Sequence, residues 1–112
     1  MSTPYTVDRT RWPKLDIFNQ MGNIYSEVGR SIKANKENKP LKDNEALIRA
    51  IDLFDATIDA LIAQHSPRAK EVLRAKEQFL SVMTDSNTNQ DAINSLERYF
   101  QQFAVAARLK VK

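Results

Sequence analysis

Three acidic side chains, Glu27, Asp52 and Asp55, bring this sequence closest to reactive chemistry. Asp52, Asp55 and Asp59 lie along one side of a helical segment. Two such carboxylates with Glu27 nearby offer a divalent cation oxygen ligands alone. Thiol and paired-imidazole routes to a reactive site are closed. The 112 residues hold no cysteine, which excludes disulfides, thiolate zinc sites and cysteine nucleophiles. A single histidine, His65, leaves no pair of imidazole ligands. It falls in a turn with no nucleophile or orienting acid beside it, so it is expected to serve the free carbonyls of a helix end.

The positive charges suggest different chemistry. A net charge of +3 is mild, but in an antiparallel bundle both termini and the second interhelix break share one end. That end would collect Arg9, Arg11, Lys14, Arg68, Lys70, Arg108, Lys110 and Lys112. The last three belong at a helix C-terminus, where the macrodipole favours cations. Arg68 and Lys70 belong at a helix N-terminus, where it opposes them. Such a basic cap can hold the phosphates of a nucleic acid, although no stacking-aromatic motif accompanies it.

The chain's only two glycines, Gly22 and Gly29, sit inside "FNQMGNIYSEVGRSI", a stretch that otherwise reads as helix. Each costs about 1 kcal/mol relative to alanine in a helix interior. At about 100° per residue, Gly22, Ser26 and Gly29 form a narrow strip beside the apolar face. Small residues at this spacing let another helix approach closely, either within one bundle or across a dimer seam. Asn19, Gln20, Asn23, Glu27 and Arg30 make up the polar side of the same segment, where the amides suit a binding surface or an interface.

Four segments with helical periodicity must position these groups. The first carries Phe18, Met21, Ile24, Tyr25, Val28 and Ile32, and the second Leu47, Ile51, Phe54, Ile58 and Leu61. The third has Val72, Leu73, Phe79, Leu80 and Met83, and the fourth Ile93, Leu96, Phe100, Phe103 and Ala107. Polar breaks divide them. "NKENKP" ends in Pro40, which bars helical geometry at the residue before it. Ser66 is placed to cap a helix with Pro67 at its first position, and Thr88 with Asp91 resembles a capping box. Short breaks favour antiparallel neighbours. The expected fold is therefore all-α, an up-down-up-down four-helix bundle over residues 14–112 with an irregular arm at 1–13 anchored by Trp12.

"SEVGRSIKANKE" followed by "AIDLFDAT" resembles the helix pair of the all-α nucleotide pyrophosphohydrolases. That family places magnesium between an ExxE and an ExxD motif. The resemblance implies Asp52 and Asp55 as the second pair, with Asp52 in place of glutamate, and Glu27 as the start of the first. Arg30 occupies the remaining ligand position and opposes a cation. "FNQMGNIYSEVGRSI", "RAIDLFDATIDAL" and "YFQQFAVAARLK" are similar to segments of small uncharacterised bacterial helical proteins, which implies a helical fold in a bacterial cell and no particular activity.

No apolar run approaches the roughly 20 residues that span a bilayer, and "MSTPYTVDRTRW" lacks the apolar core of a signal peptide, so a cytoplasmic protein without membrane contact is expected. The leading expectation for function is a non-enzymatic module that binds a second copy or another helical protein through Gly22, Ser26 and Gly29, with no cofactor. A nucleic-acid-binding accessory protein using the basic end comes next. A magnesium-dependent nucleotide hydrolase built on Glu27, Asp52 and Asp55 is the third.

Overall fold

The computed structural model describes residues 6–85 and 90–110, the side chain of Lys110 excepted. Four helices, α1 (Ile17–Lys36), α2 (Glu45–Ala63), α3 (Arg68–Thr84) and α4 (Gln90–Lys110), are joined by polar breaks. Short 3-10 turns at Trp12–Lys14 and Leu41–Asp43 lead into α1 and α2. The described residues contain no strand, so the fold is all-α.

Side-chain oxygens serve the starts of α1, α2 and α3. Asp16 accepts the N–H of Asn19 at 2.8 Å, and Asn44 accepts that of Leu47 at 3.2 Å. The Ser66 hydroxyl accepts from the Arg68 N–H at 3.2 Å, with Pro67 just before the first residue of α3. Thr88, the residue expected to cap α4, lies outside the described residues.

Helices α1 and α2 end on left-handed residues, Asn38 (φ 66°) and His65 (φ 55°). In each case an N–H beyond the turn reaches back to a helix carbonyl, Lys39 to Ala34 at 3.0 Å and Ser66 to Leu61 at 2.9 Å. His65 therefore closes α2 through its backbone, which corrects the expected role for its side chain; the ring is exposed. Neither glycine of the chain occupies these two positions, although glycine adopts left-handed geometry most easily.

Met21, Ile24 and Val28 of α1 meet Ala50 and Phe54 of α2, Val72 and Phe79 of α3, and Leu96 and Phe100 of α4 in one continuous core. Phe54 is its hub: the ring centroid is 5.9 Å from Phe79 and 6.1 Å from Phe100, and Phe100 in turn stacks on Tyr25 at 5.4 Å. Periodicity alone misplaces Leu73, which is 45% exposed, because a residue adjacent to Val72 is turned about 100° from it. The small residues that pack closely are most numerous on α2, where Ala46, Ala50, Ala56, Thr57 and Ala60 are all buried.

Candidate functional site

The N-terminal segment is held mainly by α2, with one contact from the polar side of α1. Trp12 is buried, and its indole Nε1 donates to the Thr57 hydroxyl at 2.8 Å. Gln20, also buried, donates from Nε2 to the Trp12 carbonyl at 3.1 Å. Gln20 and Glu27 thus turn inward and serve the fold, while Asn19 and Asn23 remain exposed. The Asn23 amide donates to the Asn19 carbonyl one turn back, at 2.8 Å.

The three acids do not converge. Glu27 accepts from Arg49 Nε at 2.7 Å and from Arg30 Nη1 at 3.0 Å, so the guanidinium of Arg30 pairs with the carboxylate. Asp52 accepts from the Val7 N–H and pairs with Arg9 Nη1 at 2.8 Å. Asp55 accepts from Lys76 Nζ at 2.6 Å. Among the described residues no three histidine or acidic side chains come together in a form that could hold a metal ion. Each carboxylate already has a protein cation within contact distance, and a divalent ion would have to break that pair first.

A ligand that binds only the folded state raises the melting temperature. Millimolar magnesium or manganese is therefore expected to leave the midpoint of the protein unchanged, and that of Asp55→Asn likewise, in a thermal scan. A metal-induced rise in the parent that Asp55→Asn abolishes would restore Asp55 as a ligand.

The basic residues are only partly available. Arg9 is engaged by Asp52, well along α2. The Arg68 guanidinium lies 5.6 Å from the centroid of Phe103 and 3.9 Å from Glu71. Its place at a helix N-terminus is thereby accounted for within the chain by a cation–π contact and an i,i+3 pair. Arg11, Lys14, Lys70 and Arg108 are exposed. The side chain of Lys110 and all of Lys112 lie outside the described residues.

Gly22, Ser26 and Gly29 share an exposed strip. A Cβ built on either glycine meets nothing within 4 Å, which corrects the expectation that the strip receives another helix of the same bundle. Ser26 donates to the Gly22 carbonyl at 3.3 Å. Alongside lies a groove of about 390 Å³ between α1 and α4, floored by Tyr25, Ile32 and Ile93 and rimmed by Arg30, Lys33, Lys36 and Glu97.

No family model, curated protein or solved structure matches the chain. No helix among the described residues is long and apolar enough to cross a membrane.

Proposed function

We propose that this chain is a non-enzymatic helical interaction module that pairs with a second copy of itself through α1. The observation that carries this reading is the open space over Gly22 and Gly29. Two glycines on the exposed face of a helix interior cost about 1 kcal/mol each, and a side chain there would meet nothing among the described residues. A backbone brought close from outside offsets that cost through dispersion contacts that a Cβ would block.

The second copy is favoured as occupant by the charges on the rim of the adjoining groove. Lys33 and Lys36 on α1 face the same groove as Glu97 on α4, so a two-fold arrangement can set the lysines of one copy against the glutamate of the other, twice over. The three candidate acids, each held in an ion pair, favour a role in contact over one in catalysis. The same reading takes the bundle as antiparallel, up-down-up-down. It is supported by cross-helix contacts that descend one helix as they ascend the next, from Ser31–Asn44 to Glu27–Arg49 and from Phe54–Phe79 to Asp55–Lys76.

Sedimentation and thermal melting test the proposal together. Gly29→Leu is expected to convert a concentration-dependent dimer into a monomer, because added volume in a close contact costs about 1–3 kcal/mol on each side of a two-fold seam. Gly22→Ala with Gly29→Ala should raise the stability of the isolated monomer by about 1–2 kcal/mol, since both positions are open. A parent protein that stays monomeric at about 100 µM, or a Gly29→Leu variant that dimerises as well as the parent, would overturn it.

A further inference from the structure

Between α3 and α4, away from the glycine strip, runs a second groove of about 580 Å³ with a different character. Its walls present Arg74 and Gln78 from α3, and Arg98 and Gln102 from α4, so each helix contributes an arginine and, one turn later, a glutamine. Neither arginine has a carboxylate within 4.0 Å among the described residues, in contrast to Arg9, Arg30, Arg49 and Arg68. With the two helices in opposite directions and Arg68 set over Phe103, Arg74 stands level with Arg98 across the groove. Two guanidinium groups with no carboxylate partner among the described residues therefore line the same groove, and Glu71 is the only acid among its described lining residues.

Tyr99 supplies an independent observation. Its hydroxyl is shielded from solvent and has no hydrogen-bond partner among the described residues, which costs about 1–3 kcal/mol for a buried polar group. Burial, and secondarily the nearby Glu71 carboxylate, pushes its pKa up to about 12, against a smaller opposing effect from Arg68. At neutral pH the phenol keeps its proton and is a donor seeking an acceptor oxygen.

We propose that the α3/α4 groove is a binding site for a small phosphate monoester, its dianion shared by the Arg74 and Arg98 guanidinium groups and its remaining oxygen accepting from the Tyr99 hydroxyl. Guanidinium forks match phosphate oxygens bidentately, and a dianion removes the repulsion between the two arginines. Gln78 and Gln102, at opposite ends of the groove, are placed to hydrogen-bond hydroxyls on the organic part of the ligand. Glu71, close enough to act on the Tyr99 hydroxyl and paired with Arg68 at 3.9 Å, is exposed, so its side chain can move away from an incoming phosphate at the loss of a surface ion pair alone.

Calorimetric titration with inorganic phosphate and with glucose 6-phosphate, at low salt, tests the site, and a short single-stranded RNA serves as a third arm. Glucose 6-phosphate is expected to bind more tightly than phosphate, because only it engages the glutamines. Arg74→Gln with Arg98→Gln should weaken binding by about 100-fold or abolish it, and both positions are exposed, so the fold should be retained. Tyr99→Phe should weaken binding about tenfold while leaving the unliganded protein as stable or more so, a combination that a purely structural tyrosine would not give. No binding of either phosphate up to about 10 mM, undiminished binding by the double arginine variant, or binding of RNA alone would overturn the proposal.

Discussion

Phe54→Ala is expected to lose about 3–5 kcal/mol of folding free energy, among the largest effects of any single substitution in this chain. Phe54 is fully buried and touches the aromatic residues of two other helices, Phe79 on α3 and Phe100 on α4. Truncation removes the transfer free energy of the ring and leaves a cavity at a junction of three helices, where collapse in any one direction is opposed by the other two. At about 4 °C per kcal/mol for a chain of this length, the midpoint should fall by about 12–20 °C. Denaturant unfolding should show a lower midpoint at an unchanged slope, the signature of lost stability without a change in the surface exposed. A loss below about 1 kcal/mol would mean that the aromatic cluster is not the centre of the core.

Trp12→Ala is expected to cost about 3–5 kcal/mol as well, although the residue precedes every helix. Its indole is buried against α2, donates to Thr57, and has its own carbonyl taken by Gln20. Arg9, three residues earlier, fastens the same segment to Asp52. Trp12→Phe keeps most of the apolar contact and loses only the N–H donor, and since the Thr57 hydroxyl still donates to the Leu53 carbonyl at 2.8 Å, it should cost about 1–2 kcal/mol. A double-mutant cycle with Thr57→Val should return a coupling of about 0.5–1.5 kcal/mol for the hydrogen bond. Trp12 is also the chain's only tryptophan, so its fluorescence reports the docked segment directly. Fluorescence and far-ultraviolet circular dichroism should then follow one transition. A fluorescence change that precedes the loss of helix would show the N-terminal segment to be a separate, weaker unit.

These predictions concern residues that were visible in the sequence to different degrees. Phe54 belongs to a run of apolar residues spaced by four and three, and its burial follows from period alone. Trp12 was recognisable as an anchor by type, but nothing local indicated Thr57 and Gln20 as its partners, because one is 45 residues away and the other lies on a side of α1 that reads as polar. Sequence distance is the general obstacle. Glu27 and Arg49 are 22 residues apart and Asp55 and Lys76 are 21, so which cation neutralises which carboxylate depends on the register between helices.

What the sequence determined by itself was local. It set four helices, polar breaks near Pro40 and at Ser66–Pro67, a predominantly aliphatic and aromatic core, and the exclusion of thiol and multi-histidine chemistry, all of which follow from residue type and spacings shorter than two helical turns. Tertiary structure decided what the chemically suggestive residues do. Glu27, Asp52 and Asp55 became ion-pair partners, Arg68 covered Phe103, the glycine strip was left open, and Arg74, Arg98 and Tyr99 came together in a groove. The physical reason is that helical period fixes the direction in which a side chain leaves its own helix, whereas charge, hydrogen-bonding capacity and open space depend on which neighbour lies in that direction, and at what height.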